Sequence, residues 1–202
     1  MGVSLRARKA SKGELMEVLK GEVTKCEECG LCSGASKKVI GEGNLNAGVV
    51  LVGEAPGRKE DELGRPFVGS AGKLLDRLLE GVGLPRESVY ITNIVKCRPP
   101  KNRRPKKAET EACSRHLERQ LGIIKSRVVA PMGNSAIEYF FDKFGLEPSH
   151  IGDTHGKPIR VKSTWGNIIL FPLYHPAAAI YNRRLLGELE GDIAALKKVI
   201  ED

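Results

Sequence analysis

The sequence predicts an α/β fold, a three-layer α/β/α sandwich built on a central, mainly parallel four-stranded sheet. Short apolar runs alternate along the chain with segments of helical periodicity, which is the order of elements in strand–helix–strand units. The run at 49–52 is apolar without interruption, as expected for a parallel strand that is covered on both faces. A chain of 202 residues can bury a sizeable core, so we expect a single domain over residues 1–202.

Each strand and helix is predicted from the spacing of apolar residues in its own segment. The strands are predicted at 49–52, 89–92, 128–130 and 168–171. The helices are predicted over 13–25, 72–80, 107–121, 135–144 and 186–200. The apolar side of the first helix is predicted to consist of Leu15, Val18, Leu19 and Val23. The helix at 72–80 stops before Gly81, a residue type that commonly ends helices.

The charge of the chain and the composition of its N-terminal segment predict its cellular compartment and the kind of partner it binds. Segment 1–12 is basic and lacks an apolar stretch, so it is predicted to be a flexible tail and not a secretory signal. No apolar run approaches the roughly 20 residues that cross a bilayer, which predicts an intracellular, cytoplasmic protein without a membrane partner. The formal net charge of +8 favours a polyanionic partner.

The five cysteines follow the pattern of a metal site and not that of a disulfide framework. Cys26 and Cys29 form a Cys-x2-Cys pair, and Cys97 and Cys113 lie far along the chain. Such a pair and two distant cysteines can close a four-thiolate site in a compartment where thiols stay reduced. Cys29 and Cys32 have the same spacing as the first pair and are the alternative, and spacing alone leaves zinc open.

A glycine- and carboxylate-rich segment, GEAPGRKED at 53–61, follows the first predicted strand. Ligands bind at the carboxyl ends of strands in folds of this kind. Its carboxylates, among them Glu54 and Glu60, are candidates to orient water or act as a base. The segment lacks the Lys-Ser/Thr ending of a phosphate-binding Walker loop, and a polar turn is the alternative interpretation.

Two further residues suit the recognition of a base. Phe67 lies between prolines and glycines just before a helix, a setting that favours a plate for base stacking, with a core phenylalanine as the alternative. Asn93 ends the second strand, and its carboxamide offers a donor and an acceptor together. That pair matches the N3–H and O4 edge of uracil and mismatches cytosine. A turn-forming asparagine is the alternative.

A histidine and a basic stretch complete the candidate residues. His175 follows the last predicted strand and is followed by a proline and small residues. The apolar Ile180 and then Arg183 come after them. This order suits a catalytic histidine followed by an apolar wedge that enters DNA and by a phosphate contact. The other histidines, His116, His150 and His155, are predicted to be structural or on the surface. The stretch 96–107 surrounds Cys97 and is held extended by prolines, so it is predicted to contact the DNA backbone, with a solvated face as the alternative. Its candidate contacts are Lys96, Arg98, Arg103 and Arg104.

In their order and spacing these segments resemble the family-4 uracil-DNA glycosylases, the iron–sulfur enzymes of archaea and thermophilic bacteria. The matching motifs are GEAPG-x2-ED, GRPFVG-x-AG, VYITN-x2-KCRPP-x-NR-x-P and a late YHPAA. The resemblance as a whole extends from Cys26 to about Tyr181. The resemblance implies a base-excision repair enzyme that flips deoxyuridine out of single- or double-stranded DNA and hydrolyses its N-glycosidic bond. It implies a thermophile protein of the prokaryotic nucleoid. We also expect a monomer, and the sequence identifies no replication-clamp partner.

The resemblance also implies roles for particular residues. A [4Fe–4S] cluster would be held by Cys26, Cys29, Cys97 and Cys113, with Cys32 left out. Uracil would be bound by Phe67, Asn93, His175 and the backbone amides near Glu54 and Ala55. His175 would stabilise the departing uracil anion, and Ile180 would fill the gap that the flipped nucleotide leaves.

The attacking water needs a separate assignment, because Ala55 and Gly57 stand where the best-known uracil glycosylases have an aspartate and a tyrosine. Glu54 and Glu60 are the candidates for positioning this water, and the sequence hardly separates Glu60 from Asp61. Glu60 is also the candidate for excluding thymine. The segments of the pocket bring no lysine nucleophile, so we expect a monofunctional enzyme that does not cleave the strand.

Two rival functions belong to other classes. One is a non-catalytic, metal-stapled DNA-binding module, which would have no need of Phe67, Asn93 and His175 together. The other is a nucleotide hydrolase that uses the Glu54 loop on phosphates, which the missing Lys-Ser/Thr disfavours.

Overall fold

A six-stranded sheet lies at the centre of the protein in this computed structural model, which describes residues 10–202. Its strands are β1 Glu42–Gly43, β2 Val49–Gly53, β3 Tyr90–Asn93, β4 Val128–Pro131, β5 Ile159–Ser163 and β6 Gly166–Leu170. The order across the sheet is β1-β3-β2-β4-β6-β5. The four inner strands are parallel, and the edge strands β1 and β5 are antiparallel to their neighbours.

Helices cover both faces of this sheet. They are α1 Lys12–Lys25, α2 Arg58–Leu63, α3 Ser70–Gly81, α4 Lys107–Ile124, α5 Asn134–Phe144, α6 Ile151–Thr154, α7 Pro176–Ala179 and α8 Arg183–Glu201. Helices α1, α4 and α5 pack on the face that contains Val50 and Val52 of β2. Helices α3 and α8 pack on the opposite face, with Val49 and Leu51. The two apolar layers explain why this strand is apolar throughout.

The predicted α/β sandwich with a mainly parallel sheet is confirmed, and the four predicted strands are the four inner ones. The predicted number of strands was too small, because the edge strands β1 and β5 extend the sheet. Strand β1 has only two residues, and β5 alternates partly buried with exposed side chains. Neither has the continuous apolar run by which the inner strands are recognised.

The N-terminal helix differs from the prediction in two respects. Its buried side chains are Met16, Leu19 and Val23, whereas Leu15 and Val18 are 43% and 58% exposed. The predicted flexible tail over 1–12 is wrong at its end, since Ser11 caps α1 and Lys12 Nζ donates to the main-chain oxygen of Ile124 at 2.8 Å. Residues 1–9 of the predicted tail lie outside the described residues.

The inner strands end at one edge of the sheet and gather the candidate site there. Gly53 at the end of β2 is in register with Asn93 at the end of β3, and Val52 is in register with Pro131 of β4. A bridge between Met132 and Leu173 continues this edge towards the segment that follows β6. Within residues 10–202, no helix is both long enough and apolar enough to cross a membrane.

Candidate active site and cysteine cluster

A cleft of ≈ 460 Å³ opens at the carboxyl edge of the parallel strands. The predicted residues that line this cleft are Glu54, Ala55, Glu60, Phe67, Asn93, Arg103 and His175. The cleft also contains Met132, Gly133, Asn134 and Ser135, which the sequence analysis missed. They follow β4, so the rule that ligands bind where parallel strands end could have identified them.

Asn93 lines the cleft and contains a buried, unpaired acceptor. The residue is 2% exposed, and its Oδ1 has no hydrogen-bond partner among the described residues. Its neighbour across the sheet is Gly53, where a Cβ atom would lie 2.5 Å from Oδ1 and 2.7 Å from the Phe67 ring. Only glycine therefore allows both groups to approach this strand. A buried carbonyl without a donor is destabilising, so Oδ1 is suited to a ligand that brings an N–H group.

Phe67 is held rigidly in a left-handed backbone conformation, with a φ of 50°. Arg86 donates to the main-chain oxygen of Phe67 at 3.2 Å and also forms ion pairs with Glu42 and Asp76. The ring is 6% exposed, lines the cleft and lies 5.6 Å from the His175 ring between centroids. Non-glycine residues with positive φ are concentrated at functional sites, where the surrounding structure holds the strain.

His175 presents one ring nitrogen as a donor. Its Nδ1 accepts a hydrogen bond from the Ala177 N–H at 3.1 Å, so the neutral imidazole carries its proton on Nε2. Burial lowers the pKa of His175 to about 4, against a smaller opposing effect of Glu60. The imidazole is therefore neutral at neutral pH. Gly133, with a φ of 86°, packs closely behind it, because a Cβ there would lie 3.0 Å from the His175 Cβ.

The consecutive carboxylates Glu60 and Asp61 point to different parts of the protein. Glu60 Oε1 accepts hydrogen bonds from the amides of Val68 and Gly69, both at 2.8 Å, and the residue lines the cleft. Asp61 is 4% exposed, and its Oδ1 accepts from the amide of Ser36 at 2.9 Å in the segment that follows the first cysteines. The structure thus separates the two carboxylates that the sequence could not, and only Glu60 belongs to the cleft.

Three arginines of the basic stretch lie at the surface around the cleft. Arg103 lines it and forms an ion pair with Glu109 at 2.7 Å, and this guanidinium is the main cause that lowers the pKa of Glu109 to about 2. Arg98 donates to Asn102, and Arg104 forms an exposed ion pair with Glu138. Their predicted contacts with DNA remain predictions that this placement permits.

Lys96 does not lie at the surface, and its predicted contact with the DNA backbone is wrong. The residue is 1% exposed, and its Nζ donates to Thr92 Oγ1 at 2.9 Å and to the main-chain oxygen of Asn93 at 2.6 Å. The side chain folds back along the strand that precedes it, so it is sealed inside the protein, where a phosphate cannot reach it.

The loop between α7 and α8 exposes a residue that the sequence analysis missed. Ile180, the predicted wedge, is partly buried and packs against the core. Tyr181 follows it and is 94% exposed. Arg183 is exposed in the first turn of α8. The position of Tyr181 between an apolar residue and basic residues was the available signal, because exposed aromatic side chains stack on bases.

The five cysteines surround a small cavity away from the cleft. Its lining includes Cys26, Cys29, Cys32, Cys97 and Cys113. Burial raises the pKa of the Cys97 thiol to about 12 and raises that of Cys113 as well. Nitrogen atoms lie beside two of the sulfurs: His116 Nε2 is 3.5 Å from Cys26 Sγ, and the Lys96 amide donates to Cys113 Sγ at 3.2 Å.

This donor set fits an iron–sulfur cluster. In the described part of the chain, no three His, Cys, Asp or Glu side chains are arranged to hold a single metal ion. A [4Fe–4S] cluster is bound by thiolates on separate irons, so its cysteines surround a space and do not converge on one atom. Thiol groups around one cavity, with the Lys96 N–H beside one of them and a histidine ring nitrogen beside another, suit such a cluster.

Comparisons with known proteins agree with this site. A family model described as the uracil DNA glycosylase superfamily matches residues 40–199. The type-4 uracil-DNA glycosylase of Sulfurisphaera tokodaii is 44% identical over 185 residues, which are 91% of this chain and 84% of that protein. The protein of that name from Saccharolobus solfataricus is 43% identical, over 92% of this chain and 86% of that one. The Archaeoglobus fulgidus protein is 43% identical, over 89% and 90%.

Proposed function

The chain belongs to the uracil-DNA glycosylase superfamily, and on that premise we propose that it excises uracil from DNA as a monofunctional, type-4 glycosylase. It would hydrolyse the N-glycosidic bond of deoxyuridine and leave an abasic site. The observation that supports this proposal most is the buried, unpaired Oδ1 of Asn93, a residue that lines the same cleft as Phe67 and the neutral His175.

Base recognition follows from the Asn93 carboxamide. Its Oδ1 would accept the N3–H of uracil, and its Nδ2 would donate to O4, while Phe67 stacks on the ring. Cytosine lacks the N3–H and presents an amino group in place of O4, so it would leave both atoms of the carboxamide mispaired. The target base reaches the cleft only after it leaves the duplex, because the glycosidic bond is inaccessible in the stack.

Bond cleavage follows from His175. As the bond between C1′ and N1 breaks, its electron pair passes to the base, where the charge is shared by O2 and O4. The Nε2–H of the neutral imidazole would donate to O2 and stabilise this anion, as donors of an oxyanion hole do. A water molecule then bonds to C1′ and releases a proton. Glu60 Oε2, which has no hydrogen-bond partner in residues 10–202, would take this proton.

A pair of variants separates the two tasks of Glu60. Glu60→Gln keeps an oxygen that can accept from the Val68 and Gly69 amides but has no charge, so we expect kcat to fall by about 100-fold with an unchanged melting temperature. Glu60→Ala removes the acceptor as well and should also lower the free energy of unfolding by about 2 kcal/mol. The measurements are single-turnover rates and thermal melts, with a thymine-containing oligonucleotide assayed in parallel. A fully active Gln variant would mean that Glu60 only holds the loop.

We assign DNA binding to arginines of the basic stretch and to the loop between α7 and α8 with the start of α8. We expect Arg98, Arg103, Arg104 and Arg183 to contact phosphates. Ile180 and Tyr181 would occupy the space that the flipped nucleotide leaves, Ile180 at the base of the loop and Tyr181 at its exposed tip.

Tyr181→Ala should raise the KM for a duplex substrate by about tenfold, because base–aromatic stacking contributes about 1–3 kcal/mol. The KM for a single strand should change less, since no gap in a duplex then needs filling. Tyr181→Phe is the matched control and should behave like the unaltered protein. Equal losses on duplex and single strand would show that Tyr181 makes only a general contact.

The cysteines are proposed to hold a [4Fe–4S] cluster through Cys26, Cys29, Cys97 and Cys113. When bound, such a cluster supplies a covalent crosslink between the segments that carry these residues, and no thiol lines the cleft. The purified protein should be yellow-brown with a broad absorbance at roughly 400 nm. A colourless preparation that contains zinc would contradict this assignment.

The test of the activity uses an oligonucleotide with one uracil, followed by alkali. Cleavage at the uracil after alkali and not before it would support a monofunctional glycosylase. No product from either single- or double-stranded substrate would contradict the proposal and favour a non-catalytic DNA-binding module.

A further inference from the structure

Lys96 is a buried lysine that the catalytic mechanism does not use. Among the described residues, its Nζ forms hydrogen bonds with two neutral oxygens, Thr92 Oγ1 at 2.9 Å and the main-chain oxygen of Asn93 at 2.6 Å. No carboxylate in the described residues forms an ion pair with it. A buried amine is stabilised by its hydrogen-bond partners, so these two oxygens hold Nζ in place.

The main chain of Lys96 faces the cysteine cavity. Its N–H donates to Cys113 Sγ at 3.2 Å, its carbonyl accepts the Val39 N–H at 2.7 Å, and the next residue in the chain is Cys97. Lys96 itself borders the cavity. The cysteine sulfurs that would hold an iron–sulfur cluster therefore lie beside the main chain of Lys96, and a thiolate at Cys113 would accept its N–H.

Lys96 thus contacts both the cysteine cavity and the end of β3, where Asn93 presents its carboxamide. The Nζ contact fixes the carbonyl of Asn93, the residue whose Oδ1 is buried and unpaired. The same strand end is tied to β2, because the Ile94 amide donates to the Gly53 oxygen at 2.9 Å.

We propose that Lys96 is a positioning residue that couples the cysteine cluster to the base-reading carboxamide of Asn93. The Cys113 sulfur would hold the main chain of Lys96 through its N–H, and Nζ of Lys96 in turn fixes the main chain of Asn93, from which the carboxamide projects. This inference rests on the proposed function, since it requires Asn93 to bind uracil and the cysteines to hold the cluster.

The test is a double-mutant cycle on the iron-loaded protein, with the inhibition constant of free uracil as the readout. An inhibition constant does not depend on the fraction of a preparation that is active, so partial unfolding cannot imitate the effect. Asn93→Ala should raise this constant about tenfold, the effect of losing one or two buried hydrogen bonds. Lys96→Met should raise it about threefold to tenfold, and the double variant should be no weaker than Asn93→Ala alone.

Lys38→Met is the matched control. Lys38 also borders the cysteine cavity, but its Nζ donates to the oxygens of Thr24 and Cys26 and has no contact with Asn93. The Lys38→Met variant should leave the uracil inhibition constant unchanged.

Lys96→Met should in addition lose iron to a chelator severalfold faster than the unaltered protein, measured by the decay of the absorbance at roughly 400 nm.

The outcomes separate this inference from the proposed function. An unchanged inhibition constant in Asn93→Ala would contradict base reading by Asn93 itself. Suppose that Asn93→Ala does weaken inhibition. The coupling is then overturned if Lys96→Met raises the inhibition constant by the same factor with and without Asn93, or if it does not raise the constant at all. It is also overturned if Lys96→Met leaves the rate of iron loss unchanged. Should Lys96→Met fail to fold, Thr92→Val removes one of the two oxygens that hold Nζ. It should weaken uracil inhibition only while Asn93 is present.

Discussion

Replacing His175 by alanine should lower kcat by about 100- to 1000-fold, the usual effect of removing one donor from an oxyanion hole. The reason is the geometry of the ring, since Nδ1 is occupied by the Ala177 N–H and Nε2–H is left to face the base. His175→Gln retains an N–H donor and should fall between the alanine variant and the unaltered protein. Single-turnover rates on a uracil-containing duplex measure the effect, and an alanine variant within threefold of normal would contradict it.

The pH dependence tests the protonation state of His175. Because burial lowers its pKa to about 4, the imidazole should stay neutral between about pH 7 and pH 5. Titration of His175 should therefore not change the rate of the chemical step over this range. An unfolded chain takes up a proton on this residue near pH 6.5, whereas the folded chain does so only near 4. Acidification across that window therefore favours the unfolded state. Ring proton shifts in NMR spectra that titrate near 6.5 would contradict the assignment.

Asn93→Asp should lower uracil excision by about 10- to 100-fold and create activity on cytosine, because each well-formed pair of hydrogen bonds to a base contributes about 1–3 kcal/mol of discrimination. A carboxylate has no N–H for the O4 of uracil, and it can accept from the amino group of cytosine. The measurement is alkali-dependent cleavage of oligonucleotides that carry one uracil or one unpaired cytosine.

Asn93→Ala is the control for this change of specificity. It removes the same contacts with uracil without supplying an acceptor for cytosine, so it should lose the first activity and not gain the second. An aspartate variant that still prefers uracil as strongly as the unaltered protein would show that another residue reads the base.

Much of the cleft could be predicted from the sequence, because the inner strands are recognisable and their carboxyl ends must meet at one edge. Asn93 and the GEAPG segment follow directly from that rule. Phe67 and His175 lie in loops whose paths no periodicity predicts. Their flanking prolines, glycines and small residues made them candidates, and the resemblance of their motifs to a known family implied their roles. The cleft brings all of them together.

What the sequence could not predict at the site is the direction in which single side chains point. Glu60 and Asp61 differ by one step around a short helix, which is enough to turn one towards the cleft and the other towards Ser36. Lys96 belongs to a basic stretch but points inwards. Such directions depend on the local backbone rotation and on the packing of neighbouring elements, neither of which composition or spacing records.

The one-and-a-half turns of α2 have a consequence for how the protein opens. Glu60 holds the amides of Val68 and Gly69 beside the stacking phenylalanine, and Asp61 holds the amide of Ser36 beside the cysteine segment. These two loops, more than 30 positions apart in the chain, are therefore anchored to adjacent residues of one short helix. A fluctuation that unwinds α2 would release both anchors at once, so we expect the Val68–Gly69 loop and the Ser36 segment to open together in local unfolding.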